Sequence, residues 1–163
     1  MSSLMAPRLS HLDARGRVRM VDVSTKPVTR REAVARARVS MQPNTLALLQ
    51  DGRAPKGNVI ATAHLAGVMA AKRTSELIPL AHSIPLDGVE LTFTFDTAHS
   101  AVGIEARVLT RARTGVEMEA LVAVSAAALT LYDMLKAVDR GMVIGEIALW
   151  QKRGGRSGLY RRR

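Results

Sequence analysis

Apolar and polar residues alternate along residues 33–41, and a repeat of two is typical of a half-buried strand. The same alternation recurs over residues 89–95 and 102–109. The turn residues 97–100 lie between these two segments, so they are predicted to form a hairpin. A last strand is predicted over residues 142–151.

Helical segments are predicted between the strands. Pro43 opens a short helix that ends at Gln50. Asn58 is typical of an N-cap and predicts a second helix to about Glu76, just before Ile78-Pro79. A third, long helix is predicted over about residues 116–138, with Gly141 as the residue that ends it.

The remaining segments are predicted to be irregular. Residues 18–23 are either a short strand or an extended arm, and residues 80–85 form a fixed loop between two prolines. Strands and helices then follow in the order β, α in two pieces, β, β, α, β. This order predicts an α+β, ferredoxin-like (split βαβ) fold, with an antiparallel sheet and helices packed on one face.

The chain has the length of one domain, which we place at residues 9–153. Residues 1–8 are expected to be a flexible N-terminus and residues 154–163 a basic, disordered tail. The formal net charge is +10, and most of it lies at the two ends of the chain. Because there is no cysteine, disulfides, thiol nucleophiles and cysteine-held metals are excluded. Residues 120–131 are too short an apolar run to cross a bilayer and no signal peptide is visible, so we expect a cytoplasmic protein.

The long helix carries the most informative acids and bases. Asp133 and Lys136 are three positions apart and therefore lie on one face. Glu119 is fourteen positions before Asp133, which puts it within about 40° of the same stripe but about 21 Å away along the axis. The two carboxylates share a substrate only if another subunit supplies one of them. From spacing alone, a surface ion pair is the favoured explanation of Asp133 and Lys136.

Other candidates have two interpretations each. Lys56, before a helix start, suits a phosphate group or is a basic turn residue. Lys72 and Arg73 bind an anion or complement the dipole at the end of the second helix. Glu117 and Glu119, in the first turn of the long helix, are also explained as acids that interact favourably with a helix N-terminus. His82 is a proton donor and acceptor or an exposed loop residue.

Taken together, six segments resemble the molybdenum cofactor biosynthesis protein C family, the cyclic pyranopterin monophosphate synthases. The resemblance covers about residues 9–158, and the runs at 115–121 and 132–136 are its most specific parts. The segments are Met20-Val21-Asp22-Val23-Ser24, Asp51-Gly52 with Lys56-Gly57, Ala71-Lys72-Arg73-Thr74, Leu77-Ile78-Pro79-Leu80 with His82, Thr114-Gly115-Val116-Glu117-Met118-Glu119-Ala120-Leu121, and Leu131-Tyr132-Asp133-Met134 with Lys136-Ala137-Val138.

The resemblance implies a lyase that converts 3′,8-cyclo-7,8-dihydro-GTP to cyclic pyranopterin monophosphate and pyrophosphate. It implies a homohexamer, a trimer of dimers, with the sites at a subunit interface. No cofactor is required, and Mg²⁺ could accompany the triphosphate; no metal ligands are expected. The implied catalytic residues are Asp133, Lys136 and Lys56, and the implied substrate-binding residues are Leu80, Ala81, His82, Glu117, Met118, Glu119, Arg31, Lys72, Arg73 and Lys152.

Two positions depart from the family pattern. Many members have Cys before the loop histidine and Pro after it, where this chain has Ala81 and Ser83, so a catalytic thiol is excluded here. Two alternatives remain open: an inactive paralogue of the synthase, and a nucleic-acid-binding module that uses Phe93 and Phe95 on one strand face. The scarcity of aromatic residues and the acidic middle of the chain argue against nucleic acid as a partner.

Overall fold

A computed structural model describes residues 15–163 and has a five-stranded antiparallel sheet with helices packed on it. The sheet order is β2-β3-β1-β4-β5. This confirms the α+β, ferredoxin-like fold. The elements are β1 (Thr29–Ser40), α1 (Pro43–Gln50), α2 (Val59–Lys72), α3 (Thr74–Leu77), β2 (Gly88–Asp96), β3 (Ala101–Ala112), α4 (Glu117–Leu135), β4 (Val143–Arg153) and β5 (Tyr160–Arg161).

The alternation in β1 separates a core face from an open face. Ala35, Ala37 and Val39 are buried against the helices. On the open face, Arg36 faces its β3 partner Glu105, and their side chains are 2.6 Å apart. The apolar positions of the strand therefore hold the helices, and the polar positions form ion pairs across the strands.

The long helix α4 is the centre of the core. Leu131 and Leu135 are fully buried in it, and shortening either to Ala is expected to cost about 2–5 kcal/mol. Its 19 residues make it, by length and composition, the one helix among residues 15–163 that could cross a membrane. The apolar run considered from sequence, residues 120–131, covers only part of this helix. Since one face of α4 packs on β1, β3 and β4, the helix is typical of the core of a soluble domain.

Two predicted helix ends change. The second helix ends at Lys72, because Thr74 donates its hydroxyl to the carbonyl of Ala71 and α3 begins there. The long helix ends at Leu135, and the prediction that Gly141 ends it is wrong. Gly141 instead donates its N–H to the Asp139 carboxylate.

The C-terminal tail differs from the expected disorder. Tyr160 pairs with Lys152, and Arg161 pairs with Gln151, as strand β5 against β4. The N–H of Arg162 also donates to the carbonyl of Trp150, at 2.8 Å. These backbone hydrogen bonds hold the tail at the sheet edge.

Candidate active site

Three charged side chains meet at the C-terminal end of α4, and we call them the lysine–aspartate cluster. Lys136 Nζ lies 2.6 Å from Asp133 Oδ1, and Lys56 Nζ lies 3.1 Å from Asp133 Oδ2. Lys56 also donates to the backbone carbonyl of Asp133, at 2.9 Å. One carboxylate thus holds an ammonium group on each of its oxygens.

The cluster keeps its carboxylate ionised and leaves one positive charge in excess. Hydrogen bonds from Lys136 and then from Lys56 lower the pKa of Asp133 from its usual value. The carbonyl groups at the helix end also favour cations. Because the three side chains are 44–56% exposed, a bound substrate can reach them.

A second group of residues lines a cavity of about 380 Å³ at the other end of α4, which we call the His82 pocket. His82 Nε2 lies 2.8 Å from the carbonyl oxygen of Val21. A carbonyl only accepts, so Nε2 carries the proton that it donates to Val21. The lining residues are Val21, Val23, Lys26, Leu80, Ala81, His82, Thr114, Gly115, Glu117, Met118 and Glu119.

Glu119 is the buried acid of this pocket, with 4% of the residue exposed. Burial raises its pKa above the usual value, the nearby Glu117 carboxylate adds to the rise, and His82 opposes it. Gly115 leaves room for this arrangement, because a Cβ there would collide with the Glu117 carboxylate. The pocket therefore holds a carboxyl group that is able to give or take a proton nearer neutrality than an exposed glutamate.

A basic cavity of about 490 Å³ adjoins the His82 pocket and shares three lining residues with it, Lys26, Thr114 and Gly115. Arg31 Nε and Thr29 Oγ1 are buried there without a hydrogen-bond partner in residues 15–163. The lining contains four basic side chains and no carboxylate, which suits a polyanion. The lining residues are Lys26, Pro27, Thr29, Arg31, Arg113, Thr114, Gly115, Gly155, Arg156 and Ser157.

Two glycines after β4 shape this cavity. Gly154 and Gly155 have φ values of +95° and +74°, which favour glycine. A Cβ at Gly155 would collide with the Arg31 guanidinium group. The turn brings Arg156 into the lining, and Ser157 accepts a hydrogen bond from Lys152.

The cluster and the two cavities lie at opposite ends of the helix layer. Glu119 and Asp133 are separated by fourteen residues of α4, which is about 21 Å along the axis. Helix α2 runs antiparallel to α4, since Lys56 precedes it beside Asp133 and Gly67 lies against Ala123. One protomer therefore presents two separate groups of polar side chains.

Comparison with known proteins identifies the family to which the chain belongs. The model of the MoaC family matches residues 20–155, which include the cluster and most of both cavities. The chain belongs to the MoaC family. Similar MoaC proteins match along almost their whole length. A protein of Thermomicrobium roseum named cyclic pyranopterin monophosphate synthase is 62% identical over 154 residues, 94% of this chain and 93% of that protein.

Two more relatives of the same name show how far the similarity extends. The protein of Chloroflexus aurantiacus is 62% identical over 94% of this chain and 94% of its own length. The protein of Parvibaculum lavamentivorans is 54% identical over 97% of this chain and 99% of its own. The similarity therefore includes both ends of the helix layer.

The residues expected from sequence fall into distinct places in this MoaC chain. Asp133, Lys136 and Lys56 meet in the lysine–aspartate cluster. Arg31 lines the basic cavity, and Lys152 contacts it through Ser157. Six expected residues line the His82 pocket: Leu80, Ala81, His82, Glu117, Met118 and Glu119.

Lys72 and Arg73 line neither cavity. Arg73 Nε is paired instead with Glu76 Oε2 at 2.9 Å, and both side chains are exposed. The antiparallel packing puts Lys72 at the same end of the helix layer as Met118. These two basic residues therefore lie outside the described pockets but at the pocket end of the protomer.

Sequence reasoning missed several residues of the basic cavity. Lys26, Arg113 and Arg156 line it, and of these Arg156 lies in the tail that was expected to be disordered. The paired glycines at 154–155 were the available signal, because they allow the tail to turn back. Within residues 15–163, no three His, Asp or Glu side chains form a group able to hold a metal ion.

Proposed function

We propose that this MoaC-family chain is a cyclic pyranopterin monophosphate synthase, a lyase of molybdenum cofactor biosynthesis. It would convert 3′,8-cyclo-7,8-dihydro-GTP into cyclic pyranopterin monophosphate and pyrophosphate. The lysine–aspartate cluster is the observation that carries the proposal. Relatives that are 54–62% identical over nearly the whole chain bear this name and support it.

The cluster suits the proton transfers of the rearrangement. Opening one ring and building another requires protons to leave and return, and each positioned acid or base contributes about 10²–10⁴-fold. Asp133 and Lys136 share a short hydrogen bond, so they act as one coupled pair whose acid and base roles stay open. Lys56 supplies a second ammonium on the same carboxylate.

The phosphate chemistry suits the basic cavity. A substrate hydroxyl oxygen forms a bond to the α-phosphorus and loses its proton to a base. The bond between the α-phosphorus and the oxygen that bridges to the β-phosphorus breaks, and pyrophosphate leaves. Cations stabilise the negative charge that develops on the leaving group. Arg31, Arg113 and Arg156 provide such charges beside the His82 pocket, which would take the ring system.

In a complete site, the lysine–aspartate cluster and the His82 pocket must contact the same substrate molecule. Since one chain holds them about 21 Å apart along the helix axis, we propose that the cluster of one subunit faces the His82 pocket of another. A homohexamer, built as a trimer of dimers, would satisfy this requirement. Leu65, Met69 and Leu129 are exposed apolar residues of α2 and α4 that such contacts could cover.

Other partners follow from the same proposal. No cofactor is needed by the acid–base chemistry, and Mg²⁺ would enter bound to the triphosphate oxygens. The reaction uses a small nucleotide, so we expect a cytoplasmic enzyme without a membrane or nucleic-acid partner. Phe93 packs against the core on the helix side of β2, and Phe95 shares that side. The stacking surface that an RNA-binding sheet needs is therefore absent from the open face of β2.

Pyrophosphate release from the cyclo-dihydro-GTP substrate tests the proposal. The unmodified chain should turn over, and Lys136→Ala should reduce kcat by about 10²-fold or more. Arg107→Ala is the control, because it breaks an ion pair with Glu32 on the open sheet face, at 3.1 Å. An unmodified chain that binds the substrate but releases no pyrophosphate would indicate an inactive paralogue. Unchanged turnover in Lys136→Ala would contradict the assignment of the cluster.

A further inference from the structure

Asp139 is a buried carboxylate that joins two segments distant in sequence. Only 2% of the residue is exposed. Its Oδ2 accepts from the backbone N–H of Gln42 at 2.9 Å and from the Thr45 hydroxyl at 3.2 Å. Its Oδ1 accepts from the N–H of Gly141, also at 2.9 Å. A buried carboxylate with three donors is held in one position.

These bonds replace a cap that α1 lacks. The N-cap residue Gln42 makes no side-chain capping bond, and the first N–H groups of a helix have no partner within it. Asp139 binds this end from a different part of the chain, through the N–H of the N-cap Gln42 and the Thr45 hydroxyl, and its negative charge is favourable at a helix N-terminus. The start of α1 is therefore tied to the segment that follows α4.

The two tied segments are those that carry the lysine–aspartate cluster. Asp139 follows Lys136 by three residues, and its N–H donates to the carbonyl of Leu135 at the end of α4. Helix α1 leads through residues 51–55 to Lys56, whose ammonium group bonds to Asp133. Asp139 thus bridges the end of α4 and the helix that leads to Lys56.

We propose that Asp139 is a positioning residue that holds Lys56 against Asp133. The proposal rests on the proposed function for its effect on turnover but not for its effect on structure. Asp139 does not itself touch the cluster side chains in the described contacts. It acts by setting where α1 begins relative to the end of α4, and a small displacement of a positioned group lowers the rate strongly.

Kinetics give the first test. In Asp139→Asn one acceptor oxygen becomes a donor that faces the N–H groups, so we expect kcat to fall by about 10-fold or more with KM within about twofold. Thr45→Val removes one hydrogen bond to Asp139 and should lower kcat less than Asp139→Asn does. Thr45→Ser keeps the hydroxyl group and should have the kcat of the unmodified chain. Val108→Ala is the control for stability alone, because Val108 is a fully buried core residue of β3.

A second test needs no substrate. The chain has only five lysines, so [ε-¹³C]lysine labelling gives a spectrum in which Lys→Arg variants assign each signal. We expect Asp139→Asn and Thr45→Val to move the Lys56 signal toward that of a lysine without an ion-pair partner and to leave the Lys72 signal in place. Val108→Ala should leave both signals unchanged.

The outcomes separate the two proposals. If Asp139→Asn and Thr45→Val move the Lys56 signal but the unmodified chain has no synthase activity, the proposed function fails and the positioning role of Asp139 stands. If Asp139→Asn and Thr45→Val only lower the Tm, as Val108→Ala does, with the Lys56 signal and kcat unchanged, Asp139 is a structural cap and the inference is overturned. Should Asp139→Asn not fold, Thr45→Val and Thr45→Ser decide the question.

Discussion

Glu119 and Asp133 lie on one stripe of α4, near its two ends, about 21 Å apart along the axis. Glu119 is the buried acid of the His82 pocket, and Asp133 is the exposed acid between two lysines. The environments act on the two carboxyl groups in opposite directions, because burial raises the pKa of Glu119 and the lysines lower that of Asp133. A pair of acids separated in this way suits two roles in one reaction.

Asp133→Asn should separate catalysis from binding. The amide keeps the shape but loses the charge that orders Lys56 and Lys136, so we expect kcat to fall by about 10²–10⁴-fold and KM to change by only about threefold. Steady-state pyrophosphate release measures both. Asp51→Asn is a matched control, since Asp51 is a similarly exposed acid paired with Arg53. Equal kcat values for the two variants would contradict a catalytic role for Asp133.

The buried position of Glu119 predicts a pH-dependent cost to stability. Burial raises its folded-state pKa above the ordinary 4.5, so the folded protein binds this proton more tightly than the unfolded chain does. The stabilisation that comes from this proton is fully present below the pKa of Glu119 in the unfolded chain. It is lost as the pH rises through the pKa of Glu119 in the folded protein. Gln does not ionise, so the Tm of Glu119→Gln relative to that of the unmodified chain should be higher at pH 7.5 than at pH 4.5. A Tm difference that is equal at both pH values would show that Glu119 makes no such contribution.

Two glycines of the tail allow a test of the basic cavity. Gly155→Ala places a Cβ against the Arg31 guanidinium group, whereas Gly158→Ala has a similarly positive φ but no atom within 4 Å of its Cβ. Both variants lose backbone freedom, and only the first displaces Arg31. We expect KM to rise by about fivefold or more in Gly155→Ala, corresponding to about 1 kcal/mol of lost binding, and to stay unchanged in Gly158→Ala. Equal KM values would remove Arg31 from the substrate site.

Local patterns were sufficient to predict most of the fold. The alternation in β1 identified its buried face, and the Asn58 side chain caps α2 by accepting from the N–H of Ala61, as expected. Both features depend on residues close together in the chain. The predicted ends of α2 and α4 were wrong. Thr74 binds the Ala71 carbonyl where α2 ends, and Gly141, which was expected to end α4, instead donates its N–H to Asp139.

Long-range contacts explain what the sequence could not predict about the site. Lys56 meets Asp133 across 77 positions, and His82 meets Val21 across 61. The spacing of apolar and polar residues does not predict contacts between positions so far apart in the chain. The resemblance to a family named the residues, and helix spacing predicted that Glu119 and Asp133 lie about 21 Å apart. The three-dimensional structure shows which other residues gather around each of them.

Mixing two inactive variants tests most directly whether the site is built from two chains. Lys136→Ala retains an intact His82 pocket, and His82→Ala retains an intact cluster. After the two are unfolded together and refolded, random pairing in a two-chain site restores about one quarter of the unmodified rate. We expect this recovery in pyrophosphate release, with each variant refolded alone as the control. A mixture that stays as inactive as its components, although mass spectrometry shows mixed oligomers, would contradict a site shared between subunits.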